Sequence, residues 1–121
     1  MKLTREYLQD ILTYIGHLET FAADGRDALY GDVRTRLAVQ RSYEIIGEIV
    51  KRLPDELLAQ QPHIQWRQIK GFRDVLIHQY DAVDLEIVAQ ALADLPNLRA
   101  AVTVMLASLP EDDEGDDDAE D

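Results

Sequence analysis

Apolar residues return every three or four positions along two long stretches of this chain, and that spacing admits one kind of local structure. Between Thr4 and Phe21 the residues Leu8, Ile11, Leu12, Ile15 and Leu18 fall in such steps. On a helix of about 3.6 residues per turn they gather on one face. Thr4 is the expected N-cap of this first amphipathic helix. A second seam, Val39, Tyr43, Ile46, Val50 and Leu53, belongs to a helix expected to start at Asp32 as its cap and to stop at Leu53. Pro54 enforces that stop, because proline disfavours the α conformation in the residue before it. Gly25 and Gly31 bracket an expected loop between the two helices. Period-two alternation, a glycine-rich phosphate loop and an internal repeat are all missing from the sequence.

The remaining pieces are shorter. Residues 55–61 allow one or two turns before Pro62, and Trp66 and Ile69 are expected in a turn lying under a following helix. Asp84 is placed to cap a helix through Asp94 with Leu85, Val88 and Leu92 inward. Pro96 begins or kinks a last helix ending near Leu109, and Pro110 closes the domain. Together these predict an all-α, up-and-down bundle of four to five helices over residues 1–110. Hydrophobic residues make up 46% of the chain, enough for such a core. Several helices read as apolar on more than one side, so a two-fold homodimer is expected. Gly47 stands inside the second seam at a cost of about 1 kcal/mol relative to alanine. It therefore marks a close helix approach that a side chain would block.

A net charge of −12 argues at first against a polyanionic partner, but the charge is unevenly spread. Residues 111–121 hold nine acids and no base, leaving fifteen acidic against twelve basic residues before them. The first 110 residues are close to balanced and can carry a local basic patch, whereas the acidic run reads as a disordered, solvated tail. Disulfides and cysteine-ligated metals are excluded because the chain has no cysteine. The charges at Lys2, Arg5 and Glu6 occupy the place where a signal peptide needs its apolar region, and no apolar run is long enough for a membrane span. A cytoplasmic protein without a membrane partner is expected.

Chemistry concentrates between Gly71 and Tyr80, where an arginine, an acid, a histidine and a tyrosine share one short helical run. Burial of Phe72, Val75 and Leu76 would leave Arg73 and His78 at opposite edges of one exposed strip. RNA carries its own nucleophile, so cleavage needs a base for the 2′-hydroxyl proton and a cation for the charge on phosphorus. Imidazoles change charge near neutral pH and can serve as the base. A guanidinium forks onto two phosphate oxygens. The expected products are a 2′,3′-cyclic phosphate and a 5′-hydroxyl, with no metal or cofactor required. Asp74 lies four residues before His78 and either orients its ring through a hydrogen bond or is simply a solvated acid. His17 and His63 read as surface or packing residues.

The sequence Arg73, four residues, His78, one residue, Tyr80 resembles the Arg-x4-His-x-Tyr motif of the HepT-like toxins, members of the HEPN superfamily of small helical ribonucleases. SYEIIGEIVKRL from Ser42 to Leu53, WRQIKGFRDVLIHQY from Trp66 to Tyr80 and VDLEIV from Val83 to Val88 are similar to that family as well. Two features depart from its pattern: Asp74 stands where an amide is common, and the acidic C-terminus has no counterpart. The resemblance implies an endoribonuclease toxin with Arg73 and His78 catalytic, acting as a homodimer that brings two motifs to one cleft. It also implies a partner, a nucleotidyltransferase antitoxin of the MntA type, which adds AMP to Tyr80; by composition alone Tyr80 reads as a residue packed near the dimer seam. For RNA contacts beyond the motif the basic second helix offers Arg36 and Arg41, although its Arg34, Arg36, Arg41, Lys51 and Arg52 also read as a solvated face paired with Glu44 and Glu48. Two other readings stay open, a non-catalytic nucleotide- or substrate-binding subunit of a nucleotidyltransferase complex and a structural dimerisation module.

Overall fold

Leu8, Ile11, Ile15 and Leu18 are fully buried, and the helix that carries them, α1, spans Thr4–Ala22. The computed structural model describes residues 2–79, 81 and 83–110; Tyr80 and the acidic run 111–121 lie outside the described residues. Among the described residues there are seven helices and no strand. After α1 come α2 (Arg26–Gly31), α3 (Val33–Arg52), α4 (Asp55–Leu58), α5 (Trp66–His78), α6 (Leu85–Ala93) and α7 (Leu95–Ser108). Five of these have nine residues or more, and α2 and α4 are short connectors of six and four residues. The all-α bundle is the HEPN-like architecture that the sequence implies.

Local chemistry explains most boundaries. Glu6 reaches back to accept from the Leu3 backbone N–H at 2.9 Å, so the cap falls at Leu3 rather than Thr4. Asp32 caps α3 by accepting from Arg34 N and Thr35 Oγ1, both at 3.0 Å. Asp84 caps α6 in the same way through Glu86 N at 2.9 Å. Two further expectations are corrected. Residues 26–31, expected as a loop, form α2, because tertiary bonds hold it. The Arg36 guanidinium donates to the carbonyls of Leu29 and Tyr30, at 3.4 and 3.0 Å, which α2 leaves unpaired at its end. On its outer side, Arg26 pairs with Glu86 of α6. Trp66 and Ile69 do not form a separate turn either; Trp66 opens α5 itself, and the helix continues through Gly71.

Every residue of the expected α3 seam, Val39, Tyr43, Ile46, Val50 and Leu53, is buried. Helix α3 lies between α1 and α5, and its contact with α5 is the most extensive in the bundle. Helix α7 covers the other side of α1. Glu19 near the end of α1 meets Arg99 near the start of α7 at 3.0 Å, and Arg5 near the start of α1 donates to Pro110 O at 3.3 Å, so the two helices run antiparallel. Among the described residues no helix is long and apolar enough to cross a membrane.

Candidate active site

Helix α5 is pinned at three points. Trp66 is buried, and its indole N–H donates to Leu58 O at 2.9 Å and Gln61 O at 3.1 Å, which ties the start of α5 to the α4 turn. Phe72 meets the Tyr43 ring edge to face with centroids 5.4 Å apart. Leu76 is buried in the shared core. The closest approach falls at Gly47, where a Cβ would stand 2.4 Å from Arg73 Cβ, 3.0 Å from its Cγ and 3.1 Å from Ile69 O. Real side chains cannot meet at such distances, so glycine here is what lets the arginine stem cross α3.

With its stem seated against Gly47, Arg73 directs its guanidinium along the α3–α5 junction. Nη2 donates to Glu48 Oε1 at 2.9 Å and Nη1 to Asp74 Oδ1 at 3.0 Å. The same Asp74 oxygen accepts from Lys51 Nζ at 2.8 Å, while Arg52 lies 3.9 Å from the second oxygen of Glu48. Arg73 Nε is buried without a hydrogen-bond partner among the described residues. The Arg73 side chain is 21% exposed, with Nε buried. The Lys51 ammonium and then the Arg73 guanidinium hold the Asp74 carboxyl below its ordinary range. Asp74 is thus taken up by two cations, and no hydrogen bond to His78 is formed. An ammonium on the neighbouring helix is the stronger partner, since its bond is charge-assisted.

A groove of about 290 Å³ opens beside this cluster, lined by Arg41, Glu44, Ile45, Glu48, Ile49, Arg73 and Ile77. His78 is the last residue of α5; it is exposed and has no hydrogen bond among the described residues. Arg41 therefore shares the groove with Arg73, whereas Arg36 is spent on the end of α2. His17 stacks edge-on against Tyr14 with centroids 5.4 Å apart. His63 lines a larger, mostly apolar cavity of about 720 Å³ between α5 and the α6–α7 corner. Among the described residues no three His, Asp or Glu side chains converge as a metal site requires. Sequence reasoning missed Glu48 and Lys51 as partners of the motif. The signal available was Gly47, read from the sequence as the mark of a close helix approach, which the structure places against Arg73.

A helical bundle that presents an arginine at an interhelical groove and an exposed histidine five residues on has the build of the HEPN ribonucleases. The chain belongs to the HepT-like family: the model of that family, described as "Ribonuclease HepT-like", matches residues 11–105. A protein of Thermococcus cleftensis named "Probable ribonuclease HepT" is 37% identical over 98 residues, covering 78% of this chain and 88% of its own. A Caldanaerobacter subterraneus subsp. tengcongensis protein bearing an RNase name is 38% identical over 109 residues, 88% of this chain and 96% of its own. Another, from Methanocaldococcus jannaschii and also bearing an RNase name, is 32% identical over 109 residues, 88% of this chain and 94% of its own. No solved structure matches the chain significantly. Family membership makes the protein an endoribonuclease by class.

Proposed function

We propose that the protein is a metal-independent endoribonuclease toxin in which Arg73 binds the scissile phosphate and His78 moves protons. The observation that carries this reading is the seating of Arg73 across Gly47, which delivers a guanidinium to the same groove-lining helix that ends in the exposed His78. His78 takes the proton of the 2′-hydroxyl, whose oxygen attacks phosphorus. The bond to the 5′-oxygen breaks, and that oxygen receives a proton. Arg73 offsets the charge that develops on the non-bridging oxygens. A 2′,3′-cyclic phosphate and a 5′-hydroxyl remain.

One histidine supplies the base, and the acid is assigned to His78 of the partner subunit in a two-fold dimer. Val33 and Leu37, exposed on the α3 stripe that continues to Arg41, and Ile77 on α5 support such a dimer. All three leave apolar surface in solvent, and Ile77 lines the groove itself. The cognate nucleotidyltransferase antitoxin silences the enzyme by adding AMP to Tyr80, which ends the motif two residues after His78 and would bring anionic phosphates to the cleft. The test is cleavage of a mixed-sequence single-stranded RNA pool in excess EDTA. Wild type is expected to cut and to leave cyclic phosphate ends. Arg73→Ala and His78→Ala should each lose at least about 10²-fold in rate while remaining folded. A requirement for divalent metal, or full activity of His78→Ala, would refute the mechanism.

A further inference from the structure

We infer that Glu48 is the positioning residue for Arg73, fixing the guanidinium in the orientation that receives phosphate; this rests on the ribonuclease reading above. An arginine head on a long stem samples many rotamers, and a phosphate-binding one works best when held before the substrate arrives. Three contacts fix this one. Gly47 clears the stem, Asp74 binds Nη1 from the same helix, and Glu48 binds Nη2 from across the helix junction. Asp74 follows Arg73 directly on α5 and does not touch α3 except through Lys51. Glu48 is therefore the group that ties the guanidinium itself to α3, one residue from the glycine that admits the stem.

The count of N–H groups agrees with this role. A guanidinium has five; one is committed to Glu48, one to Asp74, and Nε–H is buried. Two Nη hydrogens stay available for a phosphate, in a plane that the carboxylates define. Nor do the acids cancel the site's charge. Arg73, Lys51 and Arg52 face Glu48 and Asp74, which leaves the cluster one positive charge in excess. Glu48 itself is partly exposed at 38%, so its substitution leaves the core untouched.

The experiment compares wild type, Glu48→Ala and Glu48→Gln by cleavage of the same RNA pool and by ¹⁵N relaxation of the Arg73 Nε–H, with circular dichroism as the folding control. Glu48→Ala should lower kcat by about 10²-fold, with a smaller change in KM, and should mobilise Arg73. Glutamine keeps an acceptor oxygen for Nη2, so Glu48→Gln should recover most of the rate and the rigidity. Unchanged kcat with an equally rigid Arg73 in Glu48→Ala overturns the inference. So does a Glu48→Gln variant as inactive as Glu48→Ala and lacking one limb of the pH–rate profile, because Glu48 would then move a proton itself. Faster cleavage and tighter RNA binding by Glu48→Ala would make Glu48 a competitor of the phosphate, which also overturns it. If the wild type fails to cut while Arg73 is rigid in wild type and mobile only in Glu48→Ala, the ribonuclease reading fails and the anchoring of Arg73 stands.

Discussion

Gly47 and Arg73 sit against each other with room between them for a hydrogen atom and nothing larger, since an added Cβ would come within 2.4 Å of Arg73 Cβ. Gly47→Ala sets two effects in opposition. Alanine gains about 1 kcal/mol of helix propensity, but the nearest atoms belong to the root of a side chain and to the Ile69 carbonyl, neither of which can swing aside. The helices must part, at a cost of about 1–3 kcal/mol for overpacking. Net destabilisation in urea melts and loss of RNA cleavage are expected together. A variant as stable and active as wild type would show that α5 shifts freely on α3.

Arg36 and Arg41, both on the basic helix, should separate in experiment. Arg36→Ala removes the donor to the end of α2 and should cost about 1 kcal/mol of stability without altering the salt dependence of RNA binding. Arg41 lines the groove and, among the described residues, is paired with Glu44 at 3.1 Å. Arg41→Ala should leave stability nearly unchanged and reduce the slope of log affinity against log salt by about 0.7, one phosphate contact on a single strand. Equal slopes for the two variants would remove Arg41 from the RNA path.

Asp74 links the site to pH. Its carboxyl titrates below the ordinary value because Lys51 and Arg73 favour the anion, so the folded state binds fewer protons there than the unfolded chain. Stability from this link is complete above the unfolded pKa of about 3.9 and is lost as pH falls through the lower, folded value. The difference in unfolding free energy between wild type and Asp74→Asn should therefore be constant at neutral pH and shrink below about pH 4. If the gap persists undiminished in acid, the Asp74 charge is not its source.

Tyr80 carries the prediction about regulation. Incubation with the cognate nucleotidyltransferase, ATP and magnesium should raise the mass of the protein in AMP-sized steps and abolish RNA cleavage. Tyr80→Phe should accept no AMP and stay active in the presence of the partner. AMP mapped to another residue would move the modification site.

The parts of the fold that were readable in the sequence are those that a single helix specifies alone. The seams of α1 and α3 and the caps at Asp32 and Asp84 depend on residues within a few positions of one another, and each reappears in the structure. Apart from the α1 cap, which Glu6 moves from Thr4 to Leu3, the positions that differ depend on the other helices. Glycines at 25 and 31 suggested a loop, but Arg36 and Glu86 stabilise a helix between them. Asp74 faced His78 by helical spacing, yet Lys51 of α3, twenty-three residues earlier, competes for it and wins. Glu48 had cations within its own helix to account for it, and nothing in its spacing pointed across to Arg73.

The bond from Arg5 to Pro110 brings the two ends of the described helices together at one edge of the bundle. In topological terms the fold is a ring with a single small gap. A short linker from residue 110 back to residue 3 would close it without disturbing α1 or α7, and new ends could then be opened at the exposed Ala23–Gly25 turn. Such a permuted chain would keep Gly47, Glu48, Arg73 and His78 in one unbroken segment, so the register of α5 on α3 is independent of where the polypeptide starts.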